Sequence, residues 1–421
     1  MTDNKLVYAR SKIGDVTKAL INIPGVVGVG LTHSSVTGIG DEYQILVYIK
    51  DESVVPLLPS NVYGINVVYS VVGDVTATIF VETTERYENR VKKERSLDLS
   101  KRDTIQSMQK EKFRPVIGGI SGGIFGAHIR STGTIGCIAK DTSGRTVLVS
   151  NNHVFVYDVG DIPYKGVKGE PIIQPGGVDG GTIDDKVATL EKWVRIEATG
   201  NTIDAAYAIP VVDISTPNFC GLYAGPSVDP AIGMTVSKAG RTTGCVDGIV
   251  ESIDYTTNVT YTVNTGTGTI SFVAQFTDCI YITGLVPVSQ AGDSGSIWVT
   301  TSGNNVTGLN FAKTGAGGSV SCKAKNVENL LGVVFNDSGP SPSTSPSPSP
   351  SPSPSPSPNS STIGMALVIG GLLVLGYFVL SNKYKKKQID NILKNNEINS
   401  VYQNNSSNND NKFGYIYSDY S

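Results

Sequence analysis

Short apolar runs of strand period recur along the chain, separated by glycine and polar residues. Val26 to Leu31, Tyr43 to Ile49 and Ile65 to Val72 read as strands, the first softened by glycines. Thr146 to Ser150 is a strong apolar strand. Ile203 to Ile209 is a small, apolar, strand-like segment, and Ile297–Val299 and Val306–Phe311 follow the same pattern. Ile13 to Ile23 is spaced differently: its apolar residues recur at helical period and stop before Pro24, which predicts a helix. The pattern ends at Ser338, where a Ser-Pro repeat begins. That repeat cannot build a core and reads as an extended stalk. Ile363 to Leu380 is then an uninterrupted, uncharged apolar run, just long enough to span a bilayer.

These breaks divide the chain. Residues 1–90 read as a small α+β domain and 91–114 as a charged linker. Residues 115–225 and 226–337 read as two β units, 338–362 as the stalk, 363–380 as a transmembrane helix, and 381–421 as a basic, then Asn-rich, disordered tail. A buried core helix is the alternative for 363–380. The basic cluster Lys383 to Lys387 just after it predicts a cytoplasmic C-terminus, with the preceding chain on the other side of the membrane. No apolar segment of signal-peptide type follows Met1, which pulls the other way. A virion membrane or an internal signal-anchor route reconciles the two.

Composition narrows the class. The 421 residues leave room for two or more domains, and a net charge of −3 with no basic patch argues against nucleic acid. Charged residues make up only 17% and glycines number 47, which suits an all-β core. The run Val27-Gly28-Val29-Gly30 touches the dinucleotide pattern but lacks the following helix and acid partner. Five cysteines with no C-x-x-C pair argue against a zinc site. Cys220 with Cys245, or Cys279 with Cys322, are pairs an oxidising compartment could bond.

The chemistry gathers at Gly292-Asp293-Ser294-Gly295. The glycines allow a tight turn that leaves the Ser294 hydroxyl uncovered, and the amides of Gly292 and Ser294 can converge as an oxyanion hole. The same four residues are also an ordinary turn sequence. A nucleophilic serine needs a base, and the chain has three histidines. His33 lies in a polar segment and His128 follows a glycine-rich run, whereas His153 stands at the end of the strong strand. Asp204, an acid inside an apolar segment, needs a partner to be buried, and an imidazole is a suitable one. Asp158, Asp161, Asp184 and Asp185 lie in loop-like surroundings.

The order His153, Asp204, Ser294 and the pieces Thr134–Ile138, Leu148–Val154, Asn201–Ala206, Gly240–Gly244 and Gly292–Gly295 resemble the trypsin-like (chymotrypsin-fold) serine proteases. The likeness is to a bacterial-type branch with an extra N-terminal domain, and it spans residues 115–335. The resemblance implies two six-stranded β-barrels with His153 as base, Asp204 as its orienter and Ser294 as nucleophile in the cleft between them. It also implies that the strand through Gly308, Leu309 and Asn310 lines the specificity pocket and pairs with substrate backbone. Val288 stands where tryptic enzymes carry an acid, which implies preference for a small or apolar side chain. Ser296 replaces the commoner glycine after the motif. Val116-Ile117-Gly118-Gly119 follows Arg114-Pro115, a poor tryptic site, so a freed amine is not expected on Asp293.

The expectation is a membrane-anchored serine endopeptidase that acts on polypeptides and needs no metal or cofactor. The alternative is a catalytically silent protease fold displayed on a stalk as a binding or structural protein. A Ser-His-Asp esterase fits the motif and its order less well.

Overall fold

A computed structural model describes residues 3–38, 42–77, 80–86, 88 and 108–336, all within one compact unit, Met1–Ser343. The stalk, the apolar run 363–380 and the tail lie outside the described residues. Among those described, no helix is long and apolar enough to cross a membrane. The fold is mainly β, as the composition predicts.

The N-terminal part opens with helix α1, Asn4–Leu20, capped by Asp3, whose carboxylate accepts the Lys5 amide at 3.0 Å. The helix starts nine residues before the predicted one. Its buried stripe, Ala9, Val16, Thr17 and Leu20, is thin, and Val7 and Tyr8 face solvent, so the first turns lack an apolar period. Strands β1 (Val26–His33), β2 (Tyr43–Ile49), β3 (Asn61–Val62) and β4 (Ile65–Val71) form the sheet beneath it. Two short strands follow, β5 (Val75–Thr76) and β6 (Phe80–Thr83).

The first ring contains β7 (Ile120–Ile124), β8 (Ile129–Ile135), β9 (Cys137–Asp141), β10 (Thr146–Ser150), β11 (Pro171–Ile173), β12 (Lys186–Trp193) and β13 (Ala206–Pro210). Ladders run β8–β7–β11–β12–β13–β10–β9, and β8 continues into β9 through Gly136, which closes the ring. The second contains β15 (Thr235–Gly240), β16 (Gly244–Asn264), β17 (Thr269–Thr283), β18 (Ile297–Thr300), β19 (Asn305–Thr314) and β20 (Ser319–Lys323), preceded by β14 (Gly225–Ser227). Its ladders run β15–β18–β19–β20–β17–β16 and return to β15. The last strand, β21 (Val333–Val334), returns to β9.

The N-terminal sheet does not stand apart from the second ring. β1 pairs antiparallel with β16, Gly28 opposite Thr257, so one sheet runs through both. Val29, Leu31, Ile45 and Val47 share an apolar cluster with Val250, Ile280, Ile282 and Trp298. The glycines of β1 serve this seam: a Cβ on Gly28 would lie 2.2 Å from the Tyr255 hydroxyl, and one on Gly30 would lie 2.6 Å from Ser252 Oγ. They are packing glycines of a strand, and only a single four-residue turn, Ser34–Thr37, follows that strand. Cys220 and Cys245 form a disulfide, whereas Cys137, Cys279 and Cys322 are buried thiols. No cluster of metal-binding side chains occurs among the described residues.

Candidate active site

His153 begins where β10 stops, in a single helical turn, Asn152–Phe155. β10 pairs with β13, Ser150 opposite Ala206, and this register sets the residues after β10 beside those before β13. His153 and Asp204 therefore meet: imidazole Nδ1 lies in short contact with Asp204 Oδ2, and the His153 amide donates to Oδ1 at 3.2 Å. Asn151 Nδ2 donates to the Asp204 carbonyl at 2.6 Å and locks the loop. Both side chains are wholly buried.

A third donor reaches the same carboxylate. Tyr261, on β16, gives its hydroxyl to Asp204 Oδ2 at 2.9 Å, and its ring meets the His153 ring edge-on at 5.6 Å. Burial, and then the charge of Asp204, push the phenol well above its ordinary range, so it remains a donor. From the other side the Asp204 amide points at Cys322 Sγ, 3.2 Å away. Burial raises that thiol far above the usual cysteine value, which makes it a packing group rather than a nucleophile.

Imidazole Nε2 is buried and has no partner. An unpaired polar atom of this kind costs about 1–3 kcal/mol and is left ready for an incoming proton donor. Ser294 does not supply it in this structure: its hydroxyl donates to the Phe311 carbonyl at 3.3 Å. The expected Ser294–His153 hydrogen bond is therefore absent, although the serine is brought against the same ring of strands. The Thr134 amide donates to the Ser294 carbonyl at 2.8 Å, and Thr134 Oγ1 to the Gly292 carbonyl at 2.8 Å. At Gly295, with φ +98°, an added Cβ would stand 2.1 Å from the Thr134 carbonyl and 2.3 Å from Ser150 Oγ. Only glycine permits this approach of the serine turn to the end of β10. The amides of Gly292 and Ser294 donate to no acceptor among the described residues.

Asp293 is held without a chain terminus. Its Oδ1 accepts the Thr242 and Thr243 amides at 2.8 and 3.0 Å, and Oδ2 accepts the Gln290 amide at 2.9 Å. Lys238 Nζ lies 3.5 Å from Oδ2, both residues fully buried. Burial lowers the lysine's proton affinity and Asp293 partly restores it. Val116 is elsewhere, its amide on the Asp213 carbonyl.

Two residues that sequence reading did not single out thus surround the centre, Tyr261 and Lys238, and Asp179 is a third. Arg241 meets Asp179 with two bonds of 2.6 Å, tying the second ring to the first. Alternation along Val259, Tyr261 and Val263 signals that Tyr261 is inward, but nothing local names Asp204 as its partner. Lys238, a lone charge among Val236, Ala239 and Gly240, is the kind of residue that asks for a buried partner.

Other candidates are placed differently. Gly308 and Leu309 have both edges taken, by β18 and β20, and Asn310 bonds Gly295 and Ser296 through its backbone. The edge open to another strand begins beyond them. Val288 is buried, its amide on the Gly317 carbonyl. His33 caps its own turn through the Ser35 amide, and His128 is exposed. Asp158, read as solvated, is buried under the Trp193 indole at 3.0 Å and does not face His153.

No family model and no curated protein sequence matches the chain. Solved structures do. The chain is similar to bacterial serine proteases. A protease A of Thermobifida fusca is 19% identical, with a TM-score of 0.35, over 53% of this chain and 98% of that one. A Nocardiopsis protease is 17% identical with a TM-score of 0.33, over 52% and 98%. A Cellulomonas bogoriensis chymotrypsin is 17% identical with a TM-score of 0.32, over 52% and 97%.

Proposed function

We propose that the chain is a serine endopeptidase, with Ser294 as nucleophile, His153 as general base and Asp204 as the carboxylate that orients it. One observation carries the reading: a buried imidazole has its Nδ1 held by a carboxylate and its Nε2 unpaired, with a serine turn packed against the same strand end. On this reading the Ser294 hydroxyl exchanges the Phe311 carbonyl for Nε2 as its acceptor. The base then takes the proton as Oγ attacks a peptide carbonyl. The unengaged Gly292 and Ser294 amides receive the oxyanion, the leaving amine takes the proton from His153, and water releases the acyl group. The lack of an acid at the buried Val288 supports a preference for a small or apolar substrate side chain. The run 363–380 anchors the enzyme in a membrane, with the protease on the non-cytoplasmic side or on a virion.

A second reading, a silent fold used for binding, is favoured by the serine hydroxyl resting on Phe311 and by the burial of the whole centre. A fluorophosphonate probe separates them. Labelling of the full chain that Ser294→Ala and His153→Ala both abolish supports the enzyme. A folded chain that stays unlabelled, even with long exposure, supports the binding module.

A further inference from the structure

The centre is buried, and strands of the N-terminal part pair with both rings beside it. His153 and Ser294 are 0% and 3% exposed, so no substrate reaches them in this state. On the second ring, β19 gives one edge to β18 and the serine turn as far as Asn310. From Lys313 the same edge is taken by β5, antiparallel, with Thr76 opposite Lys313 and Val75 opposite Thr314. On the first ring, β8 gives one edge to β7 and the other to β6, also antiparallel, from Phe80 opposite Thr132 to Thr83 opposite Ile129. Three residues separate β5 from β6 in sequence, so two strands adjacent in the chain line a wall on each ring beside Ser294.

The stretch is fastened as well as paired. The Ala77 amide donates to the Thr260 carbonyl at 3.1 Å, one residue from Tyr261. Asn264 Nδ2 donates to the Val81 carbonyl at 3.2 Å, and Arg86 to the Thr265 carbonyl at 3.0 Å. Val75, Ala77 and Val81 are buried in the apolar cluster that holds Val154, Tyr261, Phe276 and Phe311.

We propose that β5 and β6 occupy the channel along β19 and β8 in which an extended polypeptide substrate would lie, so that the protein masks its own serine. The inference rests on the endopeptidase reading. The channel takes a strand in the antiparallel sense, recognised through backbone at Lys313–Thr314 and at Ile129–Thr132, with small or β-branched residues facing the cluster. A substrate must displace the stretch, and release of it turns the enzyme on.

The test uses the full chain and two readouts, hydrogen exchange of the amides of Ala77 and residues 81–84 and the rate of fluorophosphonate labelling at Ser294. The wild type is expected to protect those amides and to label slowly. Val75→Gly with Val81→Gly is expected to lose the protection and label at least about ten-fold faster. A free peptide of residues 72–86 should slow that variant again. Unprotected amides in the wild type, or wild-type labelling as fast as the variant's, overturns the masking and leaves the endopeptidase reading intact. Unprotected amides in the variant with Ser294 still inert overturns the endopeptidase reading, and the masking falls with it. If the variant does not fold, exchange in the wild type decides.

Discussion

At the scale of single residues, the centre depends on groups that do no bond chemistry. Tyr261 holds the carboxylate that holds the imidazole. Tyr261→Phe keeps the ring and removes the donor, a bond to a charged group worth about 1.5–3 kcal/mol. We expect Ser294 labelling, measured on a chain with the channel open, to slow by roughly ten- to a hundred-fold, with little change in substrate KM. An unchanged rate would show that two His153 donors suffice for Asp204. Lys238 plays the corresponding part for Asp293. Lys238→Met strands a buried carboxylate and should cost about 3–5 kcal/mol in urea denaturation. Lys238→Met with Asp293→Asn should recover much of that loss. Equal losses in the single and double variants would mean that Lys238 acts through packing alone. His153 could be singled out in the sequence because the chain has only three histidines, and Asp204 and Ser294 because each stands in an informative setting. Tyr261 could not, because its partner lies 57 positions away and nothing near it is unusual.

At the scale of elements, β16 does the most. It is 21 residues long, closes the second ring, carries Tyr261, backs β1 and receives Ala77 of the covering stretch. Its alternation marks a strand, yet three register shifts against β17 let it turn from one duty to the next, and no local pattern encodes those shifts. The helix and strands of the N-terminal part were legible in kind. Their union with the second ring was not, because the seam lies between residues more than two hundred positions apart. The seam also titrates. Half-buried Glu251 on β16 accepts the Tyr48 hydroxyl at 3.0 Å, and burial raises its carboxyl above the ordinary glutamate value. A raised acid keeps its proton longer in the folded state than in the unfolded one. Stability therefore falls as pH rises from the unfolded value through the folded one. Glu251→Gln should melt higher than wild type at neutral pH, and the gap should close below about pH 4. Melting temperatures across that range check it, and a gap that widens on acidification would contradict it.

At the scale of the molecule, the division into a separate N-terminal domain and two barrels understates how much is shared. β1 and β2 complete a cluster that includes Val250, Ile282 and Trp298. A chain beginning at residue 108 leaves that face bare. We expect it to lose near-UV circular dichroism and to bind a hydrophobic dye, whereas substitutions within β5 and β6 leave the fold standing. A cooperative transition within a few degrees of the full chain's would refute the shared core. On the proposed endopeptidase reading, uncovering Ser294 therefore calls for loosening one stretch, not shedding everything before the first ring.

The pairing of Gly28 with Thr257 has a consequence for how the chain is made. β1 leaves the ribosome first, but its partner strand follows more than two hundred residues later. At about 5–20 residues per second that is a wait of roughly 10–45 seconds. Throughout it an apolar strand edge stands open, and β2 can cover only one side of it. The nascent chain should therefore need shelter during synthesis, and expression should respond more to added holding chaperone than to any change near Ser294.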